Sequence, residues 1–133
     1  MSSSGLGVAA AECPCGTGRP YGACCLPLHR GAPAATAEQL MRARYAAYVT
    51  GETDFLFRSW HPRTRPDDLT APDGPTWTGL RVLRTVDGGA EDDTGIVEFE
   101  ARYATADGPE VLHETSRFER RRGRWVYVEG EAQ

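Results

Sequence analysis

Four cysteines in the pattern C-x-C-x8-C-C, namely Cys13, Cys15, Cys24 and Cys25, constrain this chain more than any other feature. The intervening segment, Gly16 to Ala23, contains glycines and Pro20 and can turn tightly, so the two pairs can face each other. Thiolates are soft ligands suited to zinc, which accepts tetrahedral sites of four cysteines or of three cysteines and a histidine. Metal binding would then replace the core that so short a segment cannot build. The expectation is one structural zinc ion per chain, with no position left for water or substrate. Two disulfides or a set of free thiols are the alternatives. Neighbours such as Cys24 and Cys25 bridge only with strain, and a reducing compartment disfavours stable disulfides. A redox role for Cys13 and Cys15 would require a lowered thiol pKa, which the sequence does not demonstrate. The fourth ligand stays open at this point: Cys25 comes first, and His29, four residues further on, second.

A length of 133 residues allows one ordinary domain with a small appendage. Apolar residues are 40% and charged residues 26%, as in soluble globular proteins, so most of the chain should bury a core. A net charge of -4 argues against general nucleic-acid binding, which works by neutralising phosphates. All 15 basic residues are arginine, which reads as a coding bias and lowers the functional weight of any single one. The first dozen residues lack the charged start and apolar stretch of a secretory signal. No segment approaches the roughly 18 consecutive apolar residues of a membrane span. A soluble, cytoplasmic protein without membrane contact is expected.

The chain divides into a frayed leader over 1–12, the cysteine segment over 13–29, a linker over 30–35 and an α+β body over 36–133. Thr36-Ala37-Glu38-Gln39 has the form of a capping box and should start a helix. Leu40, Met41, Arg44, Tyr45, Tyr48 and Val49 continue it as one stripe to a stop at Gly51. A second helix should begin near Thr53, carry Phe55, Leu56, Phe57 and Trp60, and end at Pro62. One more helical turn is expected over 64–69. From Trp77 the period changes to two, giving strands near 77–86, 94–105, 110–121 and 124–130, joined by short turns into an antiparallel meander. Val97, Phe99, Ala101 and Tyr103 share the core-facing side of the second strand.

C-P-C-G-T-G-R-P-Y-G-A-C-C resembles the SEC-C motif, the zinc-binding segment also found at the C-terminus of the SecA translocation ATPase; in that pattern the last ligand falls on Cys25. His29 then becomes an ordinary exposed histidine. Together with M-R-A-R-Y (41–45), W-H-P (60–62), W-T-G-L (77–80), H-E-T-S-R-F (113–118) and R-W-V-Y-V-E-G (124–130), the chain resembles the bacterial YchJ family from Cys13 to Gly130. That resemblance implies a body like nuclear transport factor 2 (NTF2), a cone of helices on a curved antiparallel sheet. Some longer relatives carry a second SEC-C motif, whereas this sequence stops at Gln133.

Such a cone often encloses a pocket, used by some proteins for catalysis and by others for binding. His61 is expected chiefly to cap a helix C-terminus, with acid–base chemistry in the pocket as the alternative. His113 and Arg117 share a strand face with Thr115 and Glu119; a solvated face is the simpler reading, and an anion site the alternative if the row lines the concave side. Tyr45, Tyr48, Trp60 and Trp77 are expected mainly as core, and are the pocket-lining candidates if a cavity exists. No nucleophile–base pair, phosphate loop or carboxylate dyad stands out. The leading expectation is a non-enzymatic zinc-binding protein, its knuckle a protein-docking module and its cone a binder of ligand or protein. A small-molecule enzyme of isomerase, dehydratase or hydrolase type is the alternative, and a homodimer through the sheet is a third expectation.

Overall fold

The computed structural model describes residues 9–67, 69 and 75–133. Among the described residues the α-helices α1 (Leu26–His29), α2 (Ala37–Thr50) and α3 (Thr53–Arg58) follow a short 3-10 turn at Tyr21–Ala23 and precede the strands β1 (Thr76–Asp87), β2 (Thr94–Thr105), β3 (Gly108–Arg121) and β4 (Arg124–Ala132). The strands pair antiparallel in sequence order, the meander that short turns dictate. Register shifts at Trp77/Gly79, Val82/Arg84 and Arg117/Phe118 are β-bulges, which bend the strands around the helices.

Helix α2 is the central packing element. Thr36 Oγ1 accepts from the Gln39 amide at 3.0 Å, and Gly51 ends the helix at φ 80°, in the left-handed region. Gln39 reaches back one residue further than a standard capping box: its Oε1 accepts from the Ala35 amide at 2.6 Å. The buried stripe Leu40, Met41, Ala43, Arg44 and Ala47 packs on Val97, Phe99 and Ala101 of β2 and on Phe118 and Trp125 beyond them. The Ala37 amide also donates to Gly88 O at 2.9 Å, pinning the helix start to the β1–β2 turn.

Three local expectations need correction. Helix α3 ends at Arg58, before Pro62, because Ser59 to His61 pair instead with the open edge of β4. Tyr127 N donates to Ser59 O and His61 N to Tyr127 O, both at 2.7 Å. Paired edges leave fewer orphan backbone groups, and that gain overrides the propensity to continue the helix. The extra turn expected over 64–69 lies earlier, where His61 O accepts from the amides of Thr64 and Arg65; Asp68 lies outside the described residues. Of the leader, residues 1–8 also lie outside them. Residues 9–12 are attached to the cysteine segment: Tyr21 N donates to Ala11 O at 2.8 Å, and Glu12 bridges Pro20.

Candidate metal centre and cone cavity

Backbone turns bring the four cysteines together. Gly16 and Gly18 adopt φ of 90° and 82°, conformations that favour glycine, and reverse the chain after Cys15. The amide of Cys13 donates to Arg19 O at 2.8 Å, closing the loop. The four sulfurs lie within 4.8 Å of one another, with Cys15 and Cys24 at 3.6 Å and Cys24 and Cys25 at 4.0 Å. A tetrahedral ion with metal–sulfur bonds of ~2.3 Å would separate its ligands by about 3.8 Å, so the donor set fits one. No two of these cysteines are bonded.

A hydrogen bond from the Cys25 thiol, against opposing burial, holds Cys15 down to about 4. Burial pushes Cys13 up to about 11, and donating to Cys15, together with burial, pushes Cys25 far up. A bound cation is what would let the four ionise together.

His29 lies outside the group of four sulfurs and is buried, not exposed as the motif resemblance implied. It is 5% exposed, with Nε2 donating to Ala43 O at 2.8 Å and Nδ1 accepting from Tyr21 Oη at 2.6 Å. The carbonyl can only accept, which fixes the proton on Nε2. Burial lowers its pKa and keeps it neutral. The imidazole therefore ties the cysteine segment to α2. Arg42 does so too, donating from Nη1 to Cys15 O at 2.8 Å.

A cavity of about 270 Å³ opens between α2 and the concave side of the sheet. Of the aromatic candidates, Tyr45, Tyr48 and Trp77 line it, beside Phe99, Leu112 and Phe118. Trp60 does not; it stacks edge-on against Tyr127 at 5.0 Å between centroids. Three polar residues of the lining went unforeseen: Arg44, Glu114 and Ser116. Arg44 is 5% exposed and donates from Nη1 to Leu56 O (3.1 Å) and Ser59 Oγ (2.6 Å). Its guanidinium lies 4.9 Å from the Trp60 ring centre and 4.4 Å from that of Tyr127. Burial lowers its pKa to about 10, so it remains a cation near neutral pH. Burial likewise pushes Tyr127 up to about 12. The available signal was a charged residue inside the apolar stripe of α2, and the alternation of Glu114 and Ser116 with buried Phe118 on β3.

The remaining candidates lie elsewhere. His61 neither caps α3, which ends before it, nor reaches the cavity; its Nδ1 accepts from the Arg63 amide at 3.0 Å and its Nε2 lies 3.9 Å from Glu119 Oε1. His113 and Arg117 are on the outer sheet face, where His113 Nε2 meets Glu98 Oε2 at 2.7 Å and Arg117 meets Glu129 at 3.3 Å. The anion site imagined for that row is thereby overturned: strand alternation puts Glu114 and Ser116, not His113 and Arg117, on the concave side.

A four-cysteine knuckle fastened to helices that pack over a four-stranded antiparallel sheet defines an NTF2-like protein with an N-terminal SEC-C motif. Residues 36–130 match the family described as the YchJ middle NTF2-like domain, and residues 11–27 match the SEC-C motif. The chain belongs to the YchJ family. A UPF0225 protein of Streptomyces coelicolor is 52% identical over 90% of this chain and 94% of its own. One of Deinococcus radiodurans is 49% identical over 88% and 86%. Among solved structures, the solution structure of a SEC-C motif-containing protein from Rhodopseudomonas palustris is similar with a TM-score of 0.79 and 38% identity, covering 92% of this chain and 99% of that one. A crystal structure of a SEC-C motif-containing protein from Psychrobacter arcticus follows at 0.77 and 26%, covering 95% and 85%. Among the described residues, no helix is long and apolar enough to cross a membrane.

Proposed function

We propose that this protein is a cytoplasmic, non-enzymatic receptor that binds a small molecule in its cone, with a structural zinc knuckle bracing the helix that forms one cavity wall. The observation that carries the reading is the aromatic-lined cavity holding a buried arginine that, among the described residues, has no carboxylate within ion-pair distance. Water in such a space beside a buried cation is displaceable by a ligand that offers an aromatic body and a matching polar group. Zinc is favoured over other metals by the all-cysteine donor set, and the ligands would be Cys13, Cys15, Cys24 and Cys25. With every position taken by protein, the ion would hold structure and activate no water. None of the three histidines lines the cavity, so the acid–base roles considered for His61 and His113 lose their geometric basis.

Two measurements test this. Freshly purified protein should contain close to one zinc per chain; a value near zero in reducing buffer removes the metal reading. Soaking with small aromatic probes should shift amide resonances of Tyr45, Trp77 and Ser116; an unresponsive cavity removes the receptor reading.

Protein docking through the knuckle is a second reading, favoured by the exposure of Gly16 to Pro20. Arg19→Glu leaves the cysteines intact, so a pull-down in which this variant retains every partner speaks against docking there. Face-to-face pairing through the sheet is disfavoured, because it would desolvate the ion pairs of Arg84 and His113 with Glu98 and of Arg117 with Glu129.

A further inference from the structure

We propose that the cone cavity receives a small, flat organic carboxylate whose far end carries a hydrogen-bond donor. This rests on the receptor reading above and adds the chemical class of the ligand.

The carboxylate follows from Arg44. Its hydrogen bonds to Leu56 and Ser59 both leave from Nη1, and the Tyr48 hydroxyl is its further polar neighbour, so the remaining N–H groups of Nε and Nη2 keep donor capacity. Among the described residues no carboxylate lies within ion-pair distance of it. The rings of Trp60 and Tyr127 pack against the guanidinium, which holds the fork in one orientation before any ligand arrives. A planar fork so held matches a carboxylate better than a point charge would. Glu114 acts on Arg44 electrostatically from the facing wall but makes no ion pair with it, so a bound carboxylate would be the first anion in direct contact with the fork, in a site where desolvation strengthens the pairing.

The flatness follows from the walls. Trp77 meets Tyr45 edge-on at 6.1 Å and Tyr48 at 6.4 Å between centroids, and all three line the cavity. At about 270 Å³ the space lies just below the ~300–1,000 Å³ typical of pockets for drug-sized ligands, which limits the occupant to roughly one ring.

The donor follows from Glu114. Its carboxylate lies in a notch at Gly130, where any added Cβ would collide with it, and accepts from Ser116 Oγ at 3.1 Å. Its remaining acceptor sites favour a hydroxyl or amine on the ligand and repel a second carboxylate. Arg44 stands on the helix wall and Glu114 on the sheet wall, so one molecule carrying an anion and a donor at opposite ends complements both.

The test uses the full-length protein and four probes: 4-hydroxybenzoate, benzoate, 4-hydroxybenzamide and phenol, titrated while backbone amide shifts are followed. The expected result is that 4-hydroxybenzoate shifts Tyr45, Trp77 and Ser116, with 4-hydroxybenzamide about ten-fold or more weaker and benzoate several-fold weaker. Glu114→Gln should reduce the advantage of 4-hydroxybenzoate over benzoate. Arg44→Lys, which keeps the charge needed at that position but loses the fork, should weaken both acids. Equal binding of acid and amide overturns the carboxylate, and equal binding of the two acids overturns the donor. If phenol or the amide shifts the cavity resonances while neither acid does, the ligand class fails and the receptor reading stands. If none of the four shifts them, the receptor reading fails as well.

Discussion

Arg42, Arg44, Arg58, Arg120 and Arg124 each donate to a main-chain carbonyl distant in sequence: those of Cys15, Leu56, His29, Asp92 and Gly31. The planar guanidinium suits this work, because it can serve one acceptor while its stem covers apolar surface. His29 does the same with an imidazole. His29→Ala should leave Tyr21 Oη and Ala43 O buried without their partner and lower stability by about 2–4 kcal/mol in denaturant unfolding. Metal content per chain should stay unchanged; a fall to zero would return His29 to the ligand set. Its pKa is lowered on folding, by burial first and also by Arg58, against the Ala43 carbonyl and Glu52. The sign follows: its contribution to stability is complete above the unfolded value of about 6.5 and is lost as pH falls through the folded value. The wild type should therefore lose more stability than a His29→Phe variant between about pH 7 and 5. By contrast, His113→Ala removes only a half-buried surface partner of Glu98, whose carboxyl His113 and then Arg84 hold below its usual range. It should change neither the melting temperature nor probe binding measurably.

At the scale of elements, the join between α2 and the β1–β2 hairpin is a close backbone contact. Gly88 has φ 79°, and a Cβ built on Gly95 would lie 2.6 Å from Gly88 Cα and 3.0 Å from Ala37 Cβ. The helix start cannot sit this close to the hairpin unless both positions lack side chains. Gly95→Ala should force the backbones apart and cost about 1–3 kcal/mol or more; Thr36→Ala, which only removes the cap, should cost about 1 kcal/mol. Thermal unfolding of the two variants checks the order, and an equal or reversed effect would contradict the packing argument. The β4 edge is handled differently, with Ser59 to His61 covering part of it, which is why α3 ends before its proline.

For the whole molecule, the cysteine cluster and the cavity are joined by four consecutive residues of α2. Arg42 holds the carbonyl of Cys15, Ala43 receives His29, and Arg44 and Tyr45 line the cavity. Removing metal should therefore be felt beyond the knuckle. Treatment with a chelator is expected to release one metal per chain, lower the melting temperature by several degrees and weaken probe binding at Trp77 in parallel. A chelated protein with unchanged stability and unchanged probe affinity would show that the knuckle is a passive appendage.

Residue pattern alone carried the four-cysteine cluster, the caps and extent of α2 and the four strands of the meander. Each depends on neighbours within one turn, one loop or one alternating run. Tyr45, Tyr48 and Trp77 were legible as pocket-lining candidates, although core was the main expectation and Tyr48 is 47% exposed. Trp60 and His61 were not, because pairing with β4, 67 residues away from Trp60 in its bridge to Tyr127, turns them off the helix that Pro62 would otherwise end. His29, four residues past a cysteine, carries no local sign that Ala43 will accept its proton. Arg44 looked like one arginine among 15; only the packing of α2 against Trp60, Tyr127 and the sheet makes it a buried cation. Periodicity and spacing determine which face a residue takes, whereas the environment of that face is set by segments distant in sequence. The ligand class proposed for the cone therefore became readable only once the chain was folded.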